Sequence, residues 1–237
     1  MGGADPDGPA TERSSGVRHR TNPAAQPPIR PAIRPAIPRY LLWLALAMPF
    51  GWMLTRYRAG ELYYGEVVHL SGELSVRLMM LAMAATPLLL MFPGRAAPRW
   101  LMRNRRYFGV ASFAYAGLHT AVYADRTGIA ADIVAEAATI EYLTGWVALL
   151  IFLALAATSN DRSVRWLRDG WKRLHRWVYG AAVLSFLHWV LVAFDPLPAY
   201  LHLALLAALE AYRLHRIRLI SRRRGPAPPP SPADGGP

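Results

Sequence analysis

The sequence predicts an all-α fold, a polytopic membrane helix bundle of about six transmembrane helices. Three observations carry that prediction. The chain is 54% hydrophobic yet has a formal net charge of +12. Its apolar residues gather into six stretches, and its basic residues gather in alternate connections between them. A membrane protein confines charge to loops and tails in this way, whereas a soluble protein of this composition would be unusual. The basic residues flank apolar runs and form no domain of their own, so the reading is a lipid bilayer as partner and no nucleic acid.

In chain order, residues 1–38 are rich in Pro, Gly, Ala and Arg and lack apolar periodicity. They read as a disordered cytoplasmic tail; the charged part is too long for a signal peptide and no short apolar core with a cleavage site follows. Residues 39–216 form the membrane domain. Its apolar segments are Tyr40–Leu54, Leu74–Phe92, Tyr107–Ala124, Tyr142–Ser159, Trp177–Phe194 and Leu197–Tyr212. A helix needs about 20 residues to cross ~30 Å of hydrocarbon, and the middle four come close. The first is short and holds Pro49 and Gly51; the last is interrupted by Glu210. Residues 217–237 read as a basic, Pro-rich disordered tail.

Charge sets the orientation. Six Lys and Arg lie in the N-terminal tail through Arg39, five in the 93–106 loop, five in the 159–175 loop and six after Tyr212, 22 in all. The alternate connections carry only 3, and Arg77 and Arg176 lie within or beside spans. The positive-inside rule then places both termini in the cytoplasm, with an even number of spans across a bacterial inner membrane.

Three histidines stand in or beside the apolar runs: His119, His175 and His188. Ionisable residues in hydrocarbon are costly and usually have a partner or a function. The third and fifth spans run the same way, and His119 and His188 both fall roughly 17 Å from the cytoplasmic edge at ~1.5 Å per residue. Equal depth on parallel helices suits the two axial ligands of one haem between helices three and five. Cysteine is absent, which excludes thiolate sites and covalent c-type attachment, so the group would be haem b. On a straight helix His175 lies ~20 Å below His188, at the cytoplasmic boundary, and about 140° away around the axis. It could serve a second haem or remain an interfacial histidine beside Lys172, Arg173 and Arg176. His119 and His188 also each read as histidines hydrogen-bonded between helices.

Arg77 lies one turn into the second span from the outer face, where it could pair with a haem propionate or snorkel to the interface. His69, His202 and His215 lie near span ends and read as solvated or interfacial, and His19 lies in the N-terminal tail. Met79, Met80 and Met83 read as packing residues. No catalytic residue is assigned.

The runs His69-Leu-Ser-Gly72-Glu, Thr86-Pro87-Leu88, Arg105-Arg106-Tyr-Phe-Gly109, Tyr115-Ala-Gly-Leu-His119, Thr158-Ser159-Asn160, Trp171-Lys-Arg-Leu-His175-Arg-Trp-Val-Tyr179 and Leu187-His188-Trp189 resemble the ferric-reductase-like transmembrane family. Within it they are most similar to the haem-binding subunits of periplasmic protein-methionine-sulfoxide reductases, over roughly residues 66 to 194. The resemblance implies a cytochrome b-like domain with His119, His175 and His188 as haem-linked histidines. It further implies FMN as a cofactor and electron transfer from the quinone pool to a separate periplasmic molybdopterin reductase. The chain would then be an electron-transfer subunit of an oxidoreductase system rather than its catalytic subunit. Where such relatives carry a basic Lys-Arg-Pro-Tyr type segment before the fourth span, this chain has Thr139-Ile-Glu141-Tyr-Leu-Thr-Gly145.

No nucleotide signature accompanies the spans, so electrons are expected from quinol or another protein. Two other functions remain open on the residues alone. One is a ferric-reductase-like cytochrome serving another acceptor. The other is a non-redox transporter or scaffold whose histidines relay protons or bind a metal ion, although no internal repeat of the transporter kind is evident.

Overall fold

The computed structural model describes residues 38–127 and 130–223. Apart from Pro38, the predicted N-terminal tail, including His19, lies outside them. Among the described residues every regular element is an α-helix. They are α1 (Arg39–Arg58), α2 (Tyr64–Met91), α3 (Ala96–Thr127), α4 (Ala130–Ala137), α5 (Ile140–Ala157), α6 (Asp161–Leu167), α7 (Asp169–His175), α8 (Val178–Val192) and α9 (Leu197–Arg223).

The six apolar segments fall in α1, α2, α3, α5, α8 and α9, with three differences. The second helix starts at Tyr64 rather than Leu74, because Val67, Ser71, Ser75 and Leu78 continue the buried stripe at helical spacing. Its first turn is closed by the Tyr63 backbone N–H, which donates to the Glu66 carboxylate at 2.8 Å. The third helix starts at Ala96, since Pro98, Leu101 and Phe108 face the core while Arg99, Arg103 and Arg105 stay exposed. Gly94 (φ +84°) makes the turn between these two helices in a conformation that favours glycine. The last helix continues to Arg223, so the first residues of the predicted 217–237 tail are helical.

The 159–175 connection folds into α6 and α7. Asn160 caps α6 by accepting from the Ser163 N–H at 2.8 Å. The next break matters most for the site. The helix carrying His175 ends there, and α8 begins at Val178. The straight helix assumed between His175 and His188 is therefore interrupted at Arg176 and Trp177, which removes the basis of the 140° offset.

Packing centres on two helix pairs, α2 with α3 and α5 with α8, while α9 lies against α2 and α3 meets α5. Met53, Val67, Leu78, Phe108, Tyr115 and Leu118 fill one core cluster. Met79, Phe152, Ala181, Phe186 and Leu206 fill another. Between α2 and α3, Ser75 Oγ donates to the Ser112 carbonyl at 2.9 Å and Ser112 Oγ donates to the Ser75 carbonyl at 2.8 Å. This reciprocal clamp lets two small residues draw the helices close.

Large apolar side chains also cover the outside. Leu143, Val147, Leu150 and Leu153 are exposed at helical spacing on α5, a face suited to lipid. By length and composition α2 and α5 are each able to cross a membrane.

Candidate functional site

Two of the three singled-out histidines meet. The His119 ring on α3 and the His188 ring on α8 have centres 6.1 Å apart and planes inclined at 83°. They line one cavity of about 660 Å³, walled by Gly72 and Ser75 of α2, Gly145 and Phe152 of α5, and Trp189 of α8. That volume is within the ~300–1,000 Å³ range of small-molecule and cofactor sites.

Each ring is held by a neighbouring helix. His119 Nδ1 lies 2.9 Å from the Val68 carbonyl oxygen, and His188 Nδ1 lies 2.7 Å from that of Glu141. A carbonyl only accepts, so both Nδ1 atoms carry the hydrogen and donate. In the neutral imidazole that leaves Nε2 with a lone pair, the tautomer a metal ligand needs. An imidazole nitrogen sits about 2 Å from its metal and roughly 1.1 Å from its own ring centre, so rings on opposite sides of one metal have centres about 6 Å apart. The observed separation fits that arrangement, and rings on a common axis can take any mutual rotation.

The glycines make the fit possible. A Cβ built on Gly145 would stand 2.9 Å from both Cε1 and Nδ1 of His188, and one on Gly72 would stand 3.1 Å from Nδ1 of His119. The sequence reading did not single out either glycine. The available signal was a repeated triplet, Leu70-Ser71-Gly72 and Leu143-Thr144-Gly145.

His175 is elsewhere. It lines a second cavity of about 380 Å³, bordered by Met79, Met83, Arg105, Arg176 and Tyr179. Phe152 lines both cavities. The His175 ring stacks on Trp171, with centres 3.9 Å apart. Its Nδ1 is 3.2 Å from the Trp171 carbonyl, and its Nε2 is 3.4 Å from Ser159 Oγ. Arg106, Lys172 and Arg213 also border this cavity. Arg106 is bound by Asp161 at 2.7 Å, and Arg213 lies 2.7 Å from Glu210.

Arg77 is not brought to the histidine pair. It borders neither cavity; Glu73 holds it at 2.9 Å and its Nε lies 3.4 Å from His202 Nε2. His202 in turn lies against Trp189, with ring centres 5.4 Å apart. Among the described residues no cluster of three or more His, Asp or Glu could hold a metal ion. The His119–His188 pair is thus suited to a metal whose remaining ligands come from a cofactor.

Comparison with known proteins agrees with the residue pattern. The family profile described as "Ferric reductase like transmembrane component" matches residues 71–186. The "Protein-methionine-sulfoxide reductase heme-binding subunit MsrQ" of Xanthomonas campestris pv. campestris (strain B100) is 36% identical over 173 residues, 70% of this chain and 77% of the relative. The protein of the same description from Rhizobium meliloti (strain 1021) is 36% identical over 176 residues, 72% of this chain and 79% of the relative. No solved structure matches. On these matches the chain belongs to the ferric-reductase-like transmembrane family, in the branch of the MsrQ heme-binding subunits of protein-methionine-sulfoxide reductase.

Proposed function

We propose that the protein is a membrane cytochrome b-like electron-transfer subunit. It would hold haem b between His119 and His188 and pass electrons from the quinone pool to a periplasmic methionine-sulfoxide reductase catalytic subunit. The observation that carries this reading is the pair of imidazoles lining one cavity with centres 6.1 Å apart, each donating Nδ1–H to a helix carbonyl. That the relatives are heme-binding subunits of protein-methionine-sulfoxide reductase supports the haem and the reductase system. A bound haem would supply one-electron chemistry at iron, with ligation and burial setting its potential.

The chain's own residues have definite tasks in this scheme. His119 and His188 present Nε2 lone pairs, and the Val68 and Glu141 carbonyls fix the rings. Phe152 and Trp189, which line the cavity, would exclude water and pack against a flat apolar group. The six helices α1, α2, α3, α5, α8 and α9 would cross the inner membrane with both termini in the cytoplasm, and the His175 cavity would then lie on the cytoplasmic, electron-entry side. Its cations suit a haem carboxylate or a flavin phosphate rather than the neutral quinol itself, with His175 as a haem-linked residue there. The molybdopterin group would belong to the periplasmic partner.

A reduced-minus-oxidised spectrum of the purified protein tests the core of this reading. Wild type should give a b-type α-band with stoichiometric haem, while His119→Ala and His188→Ala should lack it. A folded wild type that takes up no haem would sink the proposal.

A further inference from the structure

We infer that Gly72 and Gly145 are positioning residues: with the carbonyls of Val68 and Glu141 they form two matched seats that fix the orientation of His119 and His188. This deepens the haem-ligand reading and rests on it.

The two seats are built alike. In an α-helix the carbonyl of residue i points toward the N–H of residue i+4, and the side chain of i+4 stands beside it. Any Cβ there narrows the approach of a group from another helix. Val68 and Gly72 are such a pair on α2, and Glu141 and Gly145 are such a pair on α5. In both, the incoming imidazole donates to the first residue's carbonyl and lies over the Cα of the second, at 2.9 Å and 2.7 Å for the hydrogen bonds. Each histidine comes from the helix that packs most closely on its seat, α3 on α2 and α8 on α5.

Glycine inside a helix is conformationally unfavourable, and alanine would stabilise both helices if only the backbone mattered. The space around the two sites supplies the opposing reason. At Gly145 a methyl would meet Cε1 and Nδ1 at 2.9 Å and Cγ at 3.2 Å. Three ring atoms cannot give way together unless the ring tilts or leaves the Glu141 carbonyl. At Gly72 the contacts are 3.1 Å and 3.4 Å, which a small ring shift can relieve. Gly117 is a local comparison, two residues from His119 with nothing within 4 Å of a built Cβ.

The seats therefore predict a graded effect that a helix-stability role would not produce. Gly145→Ala should displace His188, lower haem affinity by about 10- to 100-fold, as loss of a ligand-orienting partner does, and convert low-spin iron to a high-spin, carbon-monoxide-accessible form. Gly72→Ala should keep its haem but shift the low-spin electron paramagnetic resonance signal. Gly117→Ala should match wild type. Nitrogen-15 spectra of histidine-labelled protein supply a second readout that works with or without haem. Wild type should show both rings as Nδ1–H tautomers, and Gly145→Ala should lose that state at His188 alone.

Wild-type haem spectra and wild-type ring tautomers in both Gly145→Ala and Gly72→Ala would overturn the inference. A wild type without haem would instead remove the functional reading, and the tautomer comparison would still decide the seats. If Gly145→Ala does not fold, the Gly72→Ala shift set against an unchanged Gly117→Ala decides between them.

Discussion

The two cavities differ in how they treat a histidine. At one end, His119 and His188 approach from different helices, each donates to a carbonyl on a third or fourth helix, and glycine gives them room. At the other end, His175 is single. It stacks on Trp171 of its own helix, makes longer contacts of 3.2 Å and 3.4 Å, and faces a ring of cations. A ligand pair needs orientation imposed from outside its own helix, because a ring that can swing about its Cβ does not hold a metal in one geometry. A basic cavity needs only charge at the right distance. The first arrangement suits iron ligation; the second suits the holding of an anionic group.

The largest expected effect separates them directly. On the proposed reading His119→Ala and His188→Ala should each abolish the low-spin haem signal, because either change removes one of the two imidazoles that would hold the iron. His175→Ala should retain that signal and slow reduction of the haem by quinol. The measurements are the reduced spectrum and the stopped-flow rate of its appearance. Complete loss of the low-spin signal in His175→Ala would break the distinction between the two ends.

A smaller effect should follow from the cations. Among the described residues Arg105 and Arg176 have no carboxylate partner, whereas Arg106 and Arg213 do. Arg105→Gln and Arg176→Gln should therefore slow haem reduction by reduced FMN, whose phosphate is anionic, several-fold without changing haem content. The difference should shrink as ionic strength rises, since partly exposed charges are screened over ~8–10 Å near physiological salt. Salt-independent rates would assign these residues to packing instead.

The Ser75–Ser112 clamp tests whether the histidine end depends on rigid packing. It joins α2, which carries one seat, to α3, which carries His119. Interhelical hydrogen bonds in membranes average ~0.6 kcal/mol and reach ~1.7 kcal/mol. Removing both hydroxyls in a Ser75→Ala, Ser112→Ala double variant should cost about 1–2 kcal/mol of stability. Detergent unfolding curves measure that loss, and haem occupancy at low denaturant should be retained.

Much of this was legible in sequence because hydrophobic length and charge asymmetry act locally. The apolar runs fall in α1, α2, α3, α5, α8 and α9, and the expectation that His119 and His188 share a level agrees with rings whose centres are 6.1 Å apart. The missing parts depend on three-dimensional neighbours. Gly72 and Gly145 matter for what a Cβ would meet, and that neighbour lies 47 residues away for Gly72 and 43 for Gly145. The stretch Thr139–Gly145, read as a departure from the family pattern, proved to contain both halves of the His188 seat. The break at Arg176–Trp177 was hidden because apolar and basic residues continue across it without Pro or Gly. Arg77 was read without its neighbours: the early start of α2 puts Glu73 one turn before it, and α9 brings His202 alongside.

The finest test concerns Asp161, which holds Arg106, one of the cations bordering the His175 cavity. The Arg106 guanidinium, by hydrogen bond and charge, keeps the Asp161 carboxyl below its ordinary range. Because the folded-state value is depressed, the pair's contribution is present above the ordinary aspartate range, near pH 3.9, and is lost as pH falls through the lowered folded value. Around neutral pH the pair should therefore show no pH dependence, and its loss should appear only in acid. The pair is solvent-exposed, so its effect on stability should be the smallest of the series. Its effect on charge is the more useful readout. Asp161→Asn should free the charge of Arg106 at the His175 cavity and strengthen binding of an anionic probe there, while leaving the spectrum of haem at the His119–His188 cavity unchanged. A titration of the Asp161 carboxyl carbon by NMR should place its midpoint below that of an ordinary aspartate, and Arg106→Gln should return it to the ordinary value. If the midpoint stays low in Arg106→Gln, the depression comes from other cations, Arg165 and Arg39, and not from this pair.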